Sequence, residues 1–118
     1  MLTIRKEQKV KLDAVMRKRF VAKSVTHLRE IFPEVLAARS DVELVAMIEE
    51  GIQRAEKYGI TGEREVTLFI DLLAGLGADF ANQRPYRWIV RILNDAEYGP
   101  PEKMELIYRR LDGQLKPK

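Results

Sequence analysis

The chain has 118 residues, of which 46% are hydrophobic and 33% are charged, and its formal net charge at pH 7 is +3. A chain of this length and composition forms one globular domain and buries enough apolar surface to fold without a metal or a disulfide. It contains no cysteine and one histidine, His27, which excludes disulfides, thiolate nucleophiles and Cys-ligated zinc, and disfavours a His-based metal site or a Ser/His/Asp triad.

The sequence also bears on where the protein acts. No apolar run approaches the roughly 18–20 residues of a membrane span. The first residues lack the apolar core and small-residue cleavage site of a secretory signal. The lack of cysteine is consistent with a reducing compartment. We therefore expect a cytoplasmic protein that does not bind a membrane.

Charge is distributed unevenly along the chain. Residues 1–30 contain nine basic and three acidic side chains, whereas residues 31–65 contain four basic and eight acidic ones. Opposite charges on neighbouring segments predict either ion pairs inside the fold or a surface with two opposed faces.

The first predicted element is a long helix from about residue 4 to residue 31, with Thr3 as its N-cap. Pro33 predicts the end of this helix, because the residue before a proline is pushed out of the α region. Residues 33–38 could add one short turn of helix. Apolar residues at spacings of three to five form one stripe along the long helix: Leu12, Val15, Met16, Phe20, Val25, Leu28 and either Ile31 or Phe32.

A second helix is predicted after Ser40, which has the capping-box spacing with Glu43. Gly59 suits the left-handed position that follows a helix. Thr61 is predicted to cap the third helix. The predicted buried stripe of the second helix consists of Val42, Val45, Met47, Ile48, Ile52 and Ala55.

The third helix is apolar over a wide arc, which is typical of the central helix of a bundle. Its apolar residues are Val66, Leu68, Phe69, Ile70, Leu72, Leu73 and Leu76. A connection over residues 78–85 leads to a helix from Tyr86 to about Asn94, and Pro101 suits the first turn of a last helix. The sequence thus predicts an all-α, single-domain bundle of five to six helices over residues 1–118, with a long N-terminal helix.

Motifs that would carry catalysis are absent. Asp71 and Asp79 flank the Gly75–Gly77 bend and could converge, although a solvated or capping role is favoured. Gly75–Gly77 is too short for a phosphate loop and follows a helix where a strand is required. His27 is expected to be a half-buried surface residue and not a ligand. We therefore expect no enzymatic activity, no catalytic residue, no metal and no cofactor.

The segment from Phe80 to Trp88 combines aromatic residues with arginines, which are the side chains that dominate protein–protein hot spots. Trp88 is expected to fill the end of the bundle together with Phe80. The predicted exposed partner-binding residues are Arg84, Tyr86 and Arg87. The basic side of the first helix is predicted to speed encounter with an acidic partner, through Arg17, Lys18 and Lys23.

Nucleic acid is a further possible partner. The basic first helix supports it, as do Arg84, Arg87 and Arg91 beside two aromatic residues. The acidic second helix argues against it, because it would repel phosphates unless it faces away. A small basic nucleic-acid-binding regulator is therefore kept as an alternative, although we expect a protein partner.

Short motifs spread over most of the chain also carry a resemblance to known proteins. They include Leu2-Thr3-Ile4-Arg5-Lys6-Glu7-Gln8, Phe32-Pro33, Gly51-Ile52, Tyr58-Gly59-Ile60-Thr61, Asp71-Leu72, Leu76-Gly77, Asp79-Phe80, Trp88 and Ile92-Leu93. In these motifs the chain resembles small helical bacterial proteins encoded beside the spike, adaptor and effector proteins of type VI secretion systems. The resemblance implies a co-chaperone or adaptor-like role in effector delivery, or an immunity role in which the protein neutralises a toxin effector.

Overall fold

The computed structural model describes residues 14–115, which form five α-helices and no β-strand. The predicted all-α class is confirmed for these residues, but residues 33–38 form consecutive turns and not a sixth helix. Two single-turn 3₁₀ helices, Phe80–Asn82 and Arg84–Tyr86, lie between the third and fourth helices. The α-helices are α1 (Ala14–Ile31), α2 (Asp41–Lys57), α3 (Glu63–Leu76), α4 (Arg87–Leu93) and α5 (Pro100–Leu115).

The end of α1 agrees with the sequence prediction, since the helix stops at Ile31, two residues before Pro33. Its predicted start near residue 4 and its Thr3 cap lie outside the described residues. The buried side of α1 is narrower than predicted, because α2 and α3 are its main packing partners among the described elements. Val15 of the stripe is exposed, and of the alternatives Ile31 and Phe32 it is Phe32 that packs against the core. The buried positions are Phe20, Val21, Ser24 and Leu28.

The capping box at the start of α2 is confirmed. The Ser40 hydroxyl accepts a hydrogen bond from the Glu43 amide at 3.1 Å, and the Glu43 carboxylate accepts one from the Ser40 amide at 3.0 Å. Gly59 adopts a φ of +80°, as predicted for the residue after this helix. The prediction for Thr61 is wrong: Gly62 occupies the N-cap of α3 and no side chain caps it.

The buried side of α2 differs from the predicted stripe. Val42 and Val45 are exposed, whereas Leu44, absent from the prediction, is fully buried. The close approach of α3 sets this orientation, because a Cβ atom at Gly51 would lie only 2.8 Å from Cγ1 of Ile70. The side of α2 that carries Gly51 must therefore face inward. Its buried residues are Leu44, Ile48, Gly51, Ile52 and Ala55.

Helix α3 is the central element of the fold, as its wide apolar arc predicts. It contacts α1, α2 and α5. Phe69 of α3 also stacks on aromatic rings from two other segments, Tyr58 at 6.0 Å and Phe80 at 6.3 Å between centroids. The apolar residues of α3 that are buried are Val66, Phe69, Ile70, Leu72 and Leu73.

One buried cation connects the two halves of the chain. Lys103 of α5 is 6% exposed, and its Nζ donates to the carbonyl oxygens of Leu93 at 2.7 Å and Tyr58 at 3.1 Å. Leu93 is the last residue of α4, and Tyr58 is the C-cap of α2. Lys103 therefore supplies a donor and a positive charge to two helix C-termini, whose carbonyl groups are otherwise left without partners.

Candidate protein-binding surface

Arg17 and Lys23 of α1 form partly exposed ion pairs with acids of α2 and α3, as Arg29 does with Asp41 of α2. The guanidinium of Arg17 donates from Nη2 and Nε to Oε1 of Glu49, at 2.6 and 3.0 Å. Nζ of Lys23 lies 3.8 Å from a carboxylate oxygen of Glu63. Lys18 is exposed and forms no ion pair within residues 14–115. Part of the excess positive charge of α1 is thus used in ion pairs within the chain. A role of Arg17, Lys18 and Lys23 in steering a partner stays a prediction.

The C-terminal end of α1 is tied to the turns that follow it. Arg29 donates to the carboxylate of Asp41 at 2.7 Å and to the carbonyl oxygens of Arg39 at 2.8 Å and Leu36 at 3.1 Å. One guanidinium therefore satisfies the turn backbone and the first residue of α2 together. Arg29 is accounted for by the fold and is not free to bind a partner.

His27 is half-buried, as expected, and its Nε2 lies 3.1 Å from both carboxylate oxygens of Asp71. Burial raises the pKa of the Asp71 carboxyl above its ordinary value, although the hydrogen bond and charge of His27 act in the opposite direction. Asp79 instead accepts a hydrogen bond from the Asn82 side chain at 2.6 Å. The two aspartates therefore have separate structural partners and do not form a carboxylate pair.

The aromatic residues before α4 are more buried than predicted. Tyr86, predicted to be exposed, is half-buried, and its ring meets the buried Phe80 edge-on at 6.5 Å between centroids. The 3₁₀ turn Arg84–Tyr86, which contains Pro85, turns this ring back onto the core. Trp88 is half-buried against the core, as expected. Tyr86 therefore contributes to the packing of the bundle end.

The arginines around α4 and α5 differ in their pairing from Arg17, Lys23 and Arg29 of α1. Arg87 and Arg91 lie four residues apart on the same side of α4, and Arg84 precedes them in the 3₁₀ turn. No acidic residue occurs in residues 84–93. We call the exposed set the arginine face, which consists of Arg84, Arg87, Arg91, Arg109 and Arg110.

Most of the arginine face lacks an internal counter-charge. Within residues 14–115, Arg84, Arg87 and Arg91 form no ion pair or hydrogen bond through their side chains. Arg109 pairs with Glu105 one turn earlier at 2.7 Å, but both side chains are about two-thirds exposed. Such surface pairs contribute little, typically about 0–1 kcal/mol, because water screens them. The guanidinium groups of this face are therefore available to an external partner.

A groove between α4 and α5 runs into the arginine face. Its volume is about 380 Å³. Its one acidic lining residue, Asp95, already accepts a hydrogen bond from the Glu97 amide at 2.9 Å. The other lining residues are three apolar or aromatic ones, Ile92, Tyr98 and Leu106, and three of the face, Arg91, Arg109 and Arg110. The groove thus offers apolar contact surrounded by positive charge.

Trp88 lies directly beside this groove. The guanidinium carbon of Arg110 sits 4.6 Å from the centroid of the Trp88 ring, in the range of a cation–π contact. The Trp88 Nε1 atom is the one buried side-chain nitrogen or oxygen in the described part of the chain that lacks a hydrogen-bond partner. Buried donors without partners are uncommon in folded proteins and cost about 1–3 kcal/mol each. Arg110, whose guanidinium lies over the ring of this tryptophan, is itself part of the exposed arginine face.

The sequence prediction identified only part of this surface. The sequence predicts Arg84 and Arg87 as partner-binding residues because they lie beside aromatic residues, and it indicates Arg91 by its charge alone. Arg109 and Arg110 lie on α5, about twenty positions along the chain, and reach the same surface only because α5 packs against α4. The sequence signal for unpaired arginines in this region is the lack of acidic residues, because no Asp or Glu follows Arg84 until Asp95.

The described residues also bear on metal binding and on membrane insertion. Residues 14–115 contain no group of three or more His, Asp or Glu side chains that could hold a metal ion. Among the helices of this range, none combines the length and the apolar character needed to cross a membrane. Comparison with family models, curated proteins and solved structures found no match. Any functional assignment therefore depends on the chemistry of the surface itself.

Proposed function

We propose that the protein is a non-enzymatic accessory factor that binds another protein in the bacterial cytoplasm through the arginine face. The observation that carries this proposal is the contrast in pairing between the two basic regions. Arg17 and Lys23 of α1 face acids of neighbouring helices, whereas Arg84, Arg87 and Arg91 face none within the described residues. Arginine and tryptophan are the residue types that most often dominate binding hot spots.

The resemblance of the sequence motifs suggests which protein is bound. We propose an effector of a type VI secretion system, or the adaptor that loads it, with this protein acting as a co-chaperone or adaptor. An immunity protein that blocks a toxin effector is the alternative within the same class, because it also works by binding. Both roles require an acidic surface on the partner, and they differ in whether binding abolishes the partner's activity.

The proposal is tested by purifying the tagged protein from its native cell, identifying what co-purifies and measuring the affinity of the recombinant pair. Reversing two charges of the arginine face, with Arg87→Glu and Arg91→Glu together, should weaken the complex at least about tenfold. Lys18→Glu is the matched control, because Lys18 is exposed and unpaired on α1. That control should leave the dissociation rate nearly unchanged.

Two results would contradict the proposal. One is that Lys18→Glu weakens the complex as much as the double change on α4, which would move the interface to α1. The other is catalytic turnover by the purified protein, which would show that binding is not its function. If the partner is a toxin, assaying its activity with and without this protein separates the immunity role from the co-chaperone role.

A second candidate is a small nucleic-acid-binding regulator, and the arginine face beside Trp88 favours it as well. Unpaired guanidinium groups contact phosphates, and arginine side chains add cation–π contacts with bases. Fluorescence anisotropy with a short single-stranded and a short duplex oligonucleotide tests this candidate. It requires tight binding that falls steeply with salt and is lost on Arg87→Glu and Arg91→Glu.

A further inference from the structure

A second cavity, separate from the arginine face, lies between the start of α3 and α5. Its volume is about 530 Å³. This volume falls within the range of roughly 300–1,000 Å³ that is typical of sites for small ligands. Its apolar and aromatic lining residues are Leu68, Pro101, Met104 and Tyr108. Its charged lining residues are Arg64, Glu65 and Glu105.

Glu65 is the unusual member of this lining. It is only 4% exposed, yet its side chain forms no hydrogen bond or ion pair within the described part of the chain. Buried carboxylates in folded proteins are almost always paired, because removing an unpaired charge from water is costly. Arg64 lines the same cavity but makes no ion pair with Glu65. The Glu65 oxygens are not among the fully buried atoms that lack a partner, so they reach solvent through the cavity and have no counter-charge within the described residues.

The position of Glu65 on α3 explains how the folded chain tolerates this arrangement. Glu65 is the third residue of the helix, where the partial positive charge of the N-terminus favours a carboxylate. No side chain caps this end, and the Glu65 carboxylate takes no hydrogen bond from the backbone amide groups there. The helix thus stabilises the negative charge, while the carboxylate oxygens remain available to a ligand in the cavity.

The remaining lining residues indicate what kind of ligand fits. Glu105 adds a second carboxylate, which is shared with the exposed Arg109. The Tyr108 hydroxyl donates to the Leu68 carbonyl oxygen and is therefore already used as a donor within the fold. A cavity lined by two carboxylates and by apolar side chains suits a ligand with a positive group on an apolar stem. A metal ion fits this cavity poorly, because two carboxylates are too few ligands. Residues 14–115 contain no group of three or more side chains that could hold a metal ion.

We propose that this cavity binds an organic cation, a primary ammonium or guanidinium group on an aliphatic stem, with Glu65 as its principal counter-charge. The ammonium or guanidinium hydrogens donate to the Glu65 carboxylate, and the stem lies against Leu68 and Met104. Two sources carry this chemistry: a free diamine, or a lysine or arginine side chain of a bound protein. The binding step is non-covalent, and it does not involve Arg84, Arg87 or Arg91 of the arginine face.

The test is an NMR titration of the full-length protein with three probes: 1,5-diaminopentane, agmatine and Nα-acetyl-lysine amide. Each should cause saturable shifts of backbone signals around the cavity, including those of Leu68 and Met104. The uncharged analogue 1-pentanol should cause none. Tighter binding of the diamine or agmatine indicates a free ligand, and tighter binding of the capped lysine indicates a side chain of a protein.

Glu65→Gln is the decisive variant, because it removes the charge and keeps the shape of the side chain. It should weaken binding of every amine probe at least about tenfold, which corresponds to the loss of one hydrogen bond between charged groups. Glu34→Gln, in the exposed turn after α1, is the matched control and should bind like the wild type. Arg64→Gln should tighten binding, because it removes a cation that repels the ligand.

Unchanged affinity in Glu65→Gln would overturn the proposal, as would the absence of saturable shifts with all three probes. Equal binding of 1-pentanol would overturn it too, because the cavity would then recognise only the apolar stem. Loss of binding in Arg64→Gln would do the same. The thermal unfolding of each variant is measured alongside, so that a loss of binding in a folded variant is separated from a loss of structure.

Discussion

Two regions of this molecule are rich in basic side chains and use them differently. On α1, Arg17 and Lys23 reach acids of α2 and α3, and Arg29 holds the turn backbone that follows the helix. On α4 and α5, the arginine face has only the exposed Arg109–Glu105 pair. The comparison shows that a count of charges along the sequence does not identify a binding surface. The cations that the proposed binding would use are the ones whose charge the fold does not neutralise within the described residues.

The largest expected effect tests the core on which both regions depend. Leu73→Ala, on the buried side of the central helix, should lower the free energy of unfolding by about 2–5 kcal/mol, because it leaves a cavity at a site that is 2% exposed. Urea denaturation measures this loss. Leu76→Ala is the control, since Leu76 lies on the same helix but is only half-buried. Equal losses for the two variants would show that the core is misassigned.

The next effect concerns the contact that Lys103 makes with the C-terminal ends of α2 and α4. Lys103→Met removes the donor to the Tyr58 and Leu93 carbonyl oxygens and should destabilise the protein by about 2 kcal/mol, part of the loss being offset by the removal of a buried charge. Thermal unfolding at neutral pH checks it. Lys57→Met makes the same chemical change at an exposed site and should be nearly neutral. Similar behaviour of both variants would contradict the capping role.

Tyr108 gives a prediction whose sign depends on pH. Burial raises the pKa of its phenol above the ordinary value, and the charge of Asp71 adds to this. The unfolded chain therefore releases this proton first, near pH 10. The stabilising contribution of Tyr108 is fully present below that pH and is lost as the pH rises further, toward the folded-state pKa.

The variant Tyr108→Phe separates the two effects. At neutral pH it should cost about 1 kcal/mol through the lost hydrogen bond to the Leu68 carbonyl oxygen. Above pH 10 its stability should fall less steeply than that of the wild type, because the titrating phenol is gone. Urea denaturation over a series of alkaline pH values measures both. Parallel curves for the two proteins above pH 10 would refute the assignment.

The smallest effect sharpens the comparison between the two basic regions directly. A double-mutant cycle on Arg17 and Glu49 should give a coupling energy of about 0.5 kcal/mol that decreases with added salt, because both side chains are partly exposed. Arg87→Ala and Arg91→Ala should each change stability by less than about 0.5 kcal/mol, since neither has a partner to lose. If Arg91→Ala lowered the free energy of unfolding more than Arg17→Ala does, Arg91 would be the residue with a partner in the fold, contrary to this comparison.

Much of the fold follows from local patterns that do not need tertiary contacts. The Ser40–Glu43 capping box, the left-handed Gly59 and the end of α1 before Pro33 are all where the sequence predicts them. These features depend on hydrogen bonds and steric limits within a few residues, which explains why they can be recognised in the sequence. The width of the apolar arc likewise identified α3 as the central helix.

The errors occurred where a neighbouring helix sets the outcome. The pattern favoured Val42 and Val45 for burial, but the close packing of Gly51 against Ile70 turns α2 so that Leu44 faces inward instead. Tyr86 was expected at the surface, but the 3₁₀ turn before α4 turns it onto Phe80. Several apolar residues on one helix allow more than one inward face, and only the partner surface selects among them.

The sequence by itself determined the helical class, the order of the helices and most of their ends, because capping, proline and apolar periodicity act locally. It also located part of the arginine face, through Arg84 and Arg87. Only the tertiary structure decided which charges are free, since ion pairs such as Arg17–Glu49 join residues 32 positions apart. The same holds for the cavity at Glu65 and for Arg110 on Trp88, because the packing of α5 against α3 and α4 creates both.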